Sequence, residues 1–255
     1  MTKTSADEQS RYMVLTGSFR EAIEDILKRE KETISLLHQN SDAAAMKLVG
    51  LAEDALDLTS NYIVLGAKDD AALNDARKSF LKAITYMEGV VSNYVDVPFA
   101  DYEGRLVGIA AMGAADRYRI VRKIGLTLRL LEDAFGENSK WKWSFVEFEG
   151  RFATVAKNIL DLKKAAANTD PRSPDYEPTM YHLHLVKKLL SQAADRYREK
   201  YELSTKSSDD LKLAIIFLSA LRRFALVLGD RDEEEQIKKK QNSWVTWFEA
   251  DLKKK

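Results

Sequence analysis

The chain has 255 residues, of which 40 are basic and 40 acidic, so its formal net charge is zero. That balance excludes the surplus of Lys and Arg on which binding to phosphate backbones rests, and no nucleic-acid partner is expected. The sequence contains no cysteine, which excludes disulfides, thiolate catalysis and cysteine-held zinc or iron–sulfur centres.

Four prolines interrupt the chain: Pro98, Pro171, Pro174 and Pro178. Proline breaks helix interiors by removing an N–H and clashing with the preceding turn. Its scarcity leaves long helices free to run, and apolar residues recur at helical spacing almost throughout. The expected fold class is therefore all-α, with about eight long helices in antiparallel hairpins forming a bundle.

The first predicted helix runs from about Asp7 to His38, with Ser5 and Glu8 in capping-box spacing. Its stripe is Tyr12, Leu15, Phe19, Ile23, Ile26 and Leu37. The second starts near Ser41 and Asp42 and ends at Gly66. Its residues Leu48, Leu51, Ala55, Leu58, Tyr62 and Leu65 form a seam of the coiled-coil kind. The third runs from Asp69 to about Asn93, and the fourth from about Asp101 to Phe135. The fifth begins after Asn138 and Ser139 and ends near Asn168, with Trp141, Phe145, Phe148, Phe152, Val155, Ile159 and Leu162 on one face. A Pro-rich loop follows over 169–178. The last three helices are expected over Thr179–Leu203, Ser208–Leu228 and Asp230–Leu252. Gly66, Gly136 and Gly229 each read as a left-handed helix stop, with Asp69, Ser139 and Asp230 capping the next start. These punctuation marks suggest a five-helix region over 1–168 and a three-helix region over 179–255, packed together as one body.

The segment Ala114-Ala115-Asp116-Arg117-Tyr118-Arg119 recurs letter for letter at 193–198. With the same offset, Tyr102 matches Tyr181, Leu106 matches Leu185 and Val107 matches Val186, which reads as a partial internal duplication. Arg117, Arg119, Arg196 and Arg198 thereby become candidates for paired anion sites. Ordinary packing offers another account, with the tyrosine turned inward and the charges in water. Arg222 and Arg223 interrupt the most apolar helix in the chain, so each is expected to find a carboxylate, an anion or water. Trp244, Trp247 and Phe248 form an aromatic face near the C-terminus. It suits a partner groove, a membrane surface or the body of the bundle itself.

Gly104, Gly108, Ala111 and Ala115 share one face of the predicted fourth helix and suggest a close helix crossing. His182 and His184 diverge by roughly 200° on a helix, so they cannot grip one metal together. Glu53, Asp54 and Asp57 are carboxylates at helical spacing without a repeated partner motif. No metal and no cofactor are therefore expected. No phosphate loop or nucleophile elbow occurs. No apolar run is long enough to span a membrane and no leader is visible, so a cytoplasmic location is expected. The sequence points to a non-enzymatic helical scaffold or interaction protein, with a protein partner or self-association. The alternative is a helical bundle holding an apolar or anionic small molecule such as a lipid.

Overall fold

The computed structural model describes residues 3–39, 43–136 and 139–253, with the side chains of 3–15, 68 and 252 left aside. The capping box of Ser5 and Glu8, the residues Tyr12 and Leu15, the start at Ser41 and Asp42, and Asn138 lie outside what is described. The chain is 84% helical with no strand among the described residues, so the all-α expectation holds. Nine α-helices are described: α1 (Lys3–Gln39), α2 (Ala44–Leu65), α3 (Asp70–Val90), α4 (Ala114–Phe135), α5 (Lys142–Asn158), α6 (Leu162–Ala167), α7 (Tyr176–Lys200), α8 (Ser208–Val227) and α9 (Arg231–Leu252).

Contacts divide the chain into two units. The first holds the chain up to Val90 and Lys123–Ser139, and the second holds Val91–Arg122 and everything from Lys140 on. Both flanks of the Pro-rich stretch belong to the second unit, and Pro178 lies in the first turn of α7. Proline is tolerated there because a first-turn N–H has no partner within the helix.

In the first unit, α2 and α3 share the most extensive helix packing, and α1 lies against α2. Leu51, Ala55 and Leu58 of the predicted seam are each 1% exposed. Ile23 and Ile26 of α1 join Leu58, with Leu27, Tyr62 and Leu65 around them. Glu30 is buried, but Lys82 donates to both its oxygens at 3.1 Å and Tyr86 donates at 2.8 Å. A buried carboxylate with such partners is tolerated; one without them would cost several kcal/mol.

In the second unit, α7 packs against α5 and α8, and α8 packs against α9. Phe145, Phe148 and Phe152 of the predicted α5 stripe are all buried. Gly150 on the same helix has a packing reason. The stacked rings of Tyr197 and Phe217, 5.6 Å apart, lie against it, and an added Cβ would sit 2.7 Å from Tyr197.

Four expectations need correction. The predicted helix from Asp101 begins only at Ala114. Before it lie 3-10 turns over Phe99–Asp101 and Glu103–Ile109. The small-residue face of Gly104, Gly108, Ala111 and Ala115 therefore loses its helical register, and a Cβ at Gly104 would meet nothing within 4 Å. The predicted fifth helix is broken between Asn158 and Leu162, where Asp161 accepts from the Lys164 N–H and starts α6. Gly136 and Gly229 do take φ of +77° and +73°, but Gly66 has φ −69°. Its missing side chain makes room for Leu73, which a Cβ would meet at 2.5 Å. Finally, Asp69 and Asp230 cap as expected, whereas the cap position of α5 belongs to Trp141 rather than Ser139.

Candidate functional site

The two copies of the repeated hexapeptide are used differently. In the second copy, well inside α7, Tyr197 is buried and Arg196 pairs with Glu149 at 3.0 Å and Glu199 at 2.8 Å. In the first copy the order is inverted. Arg117 is 4% exposed, whereas Tyr118 is half-buried and stacks on the exposed ring of Tyr181.

Arg117 turns inward because it stands in the first turn of α4, where the incoming chain wraps around its side chain. Nε donates to the Met112 carbonyl at 3.0 Å, Nη2 to Ile109 at 3.2 Å and Nη1 to Ile159 at 2.8 Å. The third bond ties the break after α5 to the start of α4. Among the described residues no carboxylate bonds the guanidinium. Burial pushes its pKa down, and the charge of Asp161 partly restores it. An arginine has five N–H groups, so two remain after these three bonds.

Beside Arg117 lies His182 of α7, 1% exposed. Its Nε2 is 2.8 Å from the Ala156 carbonyl, which can only accept, so the ring proton sits on Nε2. Nδ1 is therefore a bare acceptor, and it is buried without a hydrogen-bond partner. Burial pushes the His182 pKa down to about 4, with the nearby Arg117 charge acting in the same direction. The ring is thus neutral at physiological pH.

Both side chains line a cleft of about 180 Å³, together with Thr179, Asp161, Lys164 and Asp175. The N-terminal turns of α4 and α7 border it, so positive helix ends add to the two cations. Asp161 is engaged with the Lys164 N–H at 3.2 Å. Asp175 stands at the cap position of α7 but makes no side-chain cap bond, and no ion pair to it occurs among the described residues. The cleft thus combines a buried guanidinium held by neutral carbonyls, an ammonium 3.7 Å from Asp161 and an uncommitted carboxylate, Asp175. The repeat singles out Arg117; the sequence offers His182 only as a metal ligand, and nothing in it marks Thr179 or Asp175. A lone histidine on a helix face that also carries Leu183 and Val186 was the available sign.

A family model matches residues 8–252. The chain belongs to the TP0443 family. No curated protein and no solved structure matches it significantly.

The other candidate arginines of this TP0443-family chain are scattered. Arg119 lies 3.9 Å from Asp116 on the exposed side of α4, and Arg198 lies 3.6 Å from Glu202. Arg222 pairs with Glu234 of α9 at 2.5 Å with its side chain 35% exposed. Arg223 is more exposed and pairs with Asp96 at 2.8 Å. Each finds a carboxylate, as its place in an apolar helix requires. The aromatic face of α9 is turned toward α7. Trp244 is buried between Arg198 and Lys240, 5.0 and 4.9 Å from its ring centre. Trp247 meets Tyr201 edge-on and stays partly exposed, and Phe248 is half-buried. Asp54 and Asp57 are taken up by Arg29 and Lys123. Among the described residues no cluster suits a metal ion. No described helix is long and apolar enough to cross a membrane.

Lys157, in the last turn of α5, is a further perturbed cation. It is 5% exposed, and its ammonium lies 4.7 Å from the centre of the Tyr102 ring. The nearest carboxylate, Asp96, is engaged by Arg223. Burial pushes the Lys157 pKa down to about 8, with Asp96 opposing and Arg223 assisting. Because the folded value lies below the ordinary one, the unfolded chain holds this proton more tightly. The protein should therefore gain stability as pH rises from about 8 to about 10.5. Lys157→Met should raise stability at pH 7 by about 1–2 kcal/mol, the relief of burial less the lost ring contact. Urea melts at pH 7 and 9.5 measure both effects. A destabilised variant would show that the ammonium has a stronger partner than the ring.

Proposed function

We propose that this protein is a non-enzymatic, cytoplasmic binding protein that takes a small acidic molecule into the Arg117–His182 cleft of its second unit. One observation carries the reading. The buried Arg117 guanidinium, bonded to neutral carbonyls and to no carboxylate among the described residues, lines a cleft bordered by the N-terminal turns of two helices. A buried cation without a paired carboxylate is costly, so a cleft beside it favours an anion. Binding rather than turnover follows from the protons. His182 commits its only N–H to Ala156, and its low basicity makes it a poor general base.

Thermal melting of the full chain against millimolar propionate, L-alanine and inorganic phosphate tests this. A folded-state ligand at 100 times its Kd stabilises by about 2.7 kcal/mol, a rise of several degrees for a protein of this size. The rise should vanish in Lys164→Glu, a change at an exposed position of the cleft wall. If none of the three probes raises Tm, the acid-binding reading fails.

A second reading has its own observation. Leu126 and Leu130, one turn apart on α4 in the first unit, are 61% and 52% exposed. Such a pair suits a helix-mediated protein contact or self-association, the scaffold role expected from the sequence. Light scattering of the Leu126→Glu, Leu130→Glu double variant against the parent measures it. Identical masses and identical partner capture would remove it.

A further inference from the structure

Lys157 lines a second, smaller cleft of the second unit, between the link over 95–102 and the last turns of α8. That cleft shares no lining residue with the Arg117–His182 cleft. Lys157 Nζ makes no hydrogen bond among the described residues, yet it is not one of the unpartnered atoms sealed from solvent, so it opens on the cleft. An ammonium carries three N–H donors, and the Tyr102 ring face 4.7 Å away attracts the charge without offering an oxygen. Asp96 is bonded by Arg223 at 2.8 Å, and Asp101 also acts on Arg223. The lining charges are therefore Lys157 and Arg223 against Asp96, a net single positive charge. The other walls include Val95, Val97, Phe99, Phe224 and Val227. Val227 is 51% exposed, so the apolar wall reaches the surface.

We infer that this cleft takes the head of an aliphatic monocarboxylate, an unbranched fatty acid, with its carboxylate on Lys157 Nζ and its tail along the rim of Val95, Phe99 and Val227. A buried ammonium without a bonded carboxylate is costly, and a ligand carboxylate supplies the missing oxygens. A volume of about 20 Å³ admits a small head group and leaves the tail outside, on the apolar rim. A dianion such as phosphate fits less well, because the net charge of the cleft matches one negative charge and Asp96 repels a second. Burial holds the Lys157 pKa down at about 8, so the free cleft keeps a cation that strains the fold. Such perturbed groups concentrate at functional sites.

Isothermal titration of the full chain with octanoate, acetate and octanol tests the inference. Octanoate should bind at least about tenfold tighter than acetate, which lacks the tail, and than octanol, which lacks the charge. Lys157→Met should weaken octanoate at least about tenfold while leaving the protein folded, since the change removes a buried charge. Val227→Ser, at an exposed position of the rim, should weaken octanoate about threefold and spare acetate. Octanoate affinity should also fall about tenfold or more between pH 7 and pH 9.5, as Lys157 loses its proton above about 8. If acetate or octanol matches octanoate, if Lys157→Met binds octanoate as the parent does, or if octanoate does not bind, the inference is overturned. Binding that survives in Lys157→Met and is lost in Lys164→Glu would place octanoate in the Arg117–His182 cleft. That result would remove the fatty-acid site and leave the acid-binding reading standing.

Discussion

Arg117→Met should destabilise the protein by about 2–6 kcal/mol, because the Met112 and Ile159 carbonyls lose their donor together, at about 1–3 kcal/mol for each stranded group, while the Ile109 carbonyl keeps the Met112 N–H. Methionine keeps much of the volume, so the loss should report the hydrogen bonds rather than a cavity. The bonds to Ile109 and Met112 hold the turns before α4, and the bond to Ile159 holds the break after α5. Arg119→Met is the control, since Arg119 is exposed and 3.9 Å from its carboxylate. It should cost about 0.5 kcal/mol or less, as exposed helical ion pairs do. Urea melts of both variants decide the matter. Equal midpoints would mean that water replaces the guanidinium at the three carbonyls.

Acid should weaken the protein well before its carboxylates titrate. In the folded chain His182 resists protonation down to about 4, while an unfolded histidine takes up its proton near 6.5. Between those values the unfolded state binds more protons, so stability falls as pH falls. The loss should be about 2 kcal/mol between pH 7 and pH 5, and about 3 kcal/mol over the whole window. His182→Gln keeps an amide able to reach Ala156 and should flatten the slope in that range. A parent protein equally stable at pH 7 and pH 5 would show that the imidazole reaches solvent or gains a proton partner.

Much of the fold could be read along the chain because its determinants are local. Apolar spacing placed α1, α2, α7, α8 and α9 within a few residues of their ends. Glycines with positive φ at 136 and 229 marked true stops. Elsewhere side-chain bonds decided what spacing could not show. Residues 101–113 have respectable helical spacing, yet the Met112 carbonyl is taken by the Arg117 side chain, which also bonds the Ile109 carbonyl. The break at 159–161 likewise depends on Arg117, which is 42 residues distant from Ile159. The cleft was harder still. Its polar groups come from 113–117, 161–168 and 175–182, and nothing in any one stretch announces the other two. Arg117 was singled out only because its hexapeptide recurs.

That recurrence has a consequence for how variation in this chain should be read. Six identical letters stand at 114–119 and 193–198, so no local window of sequence can assign them different duties. Their tolerances should nevertheless run out of phase. At the first copy the arginine is held by three carbonyls and the tyrosine is half-buried, stacked on Tyr181. At the second the tyrosine fills the space over Gly150 and the arginine lies among surface carboxylates. A lysine should be tolerated better at 196 than at 117, and a serine better at 118 than at 197. Pairing the two copies column by column would average these opposite constraints and hide both.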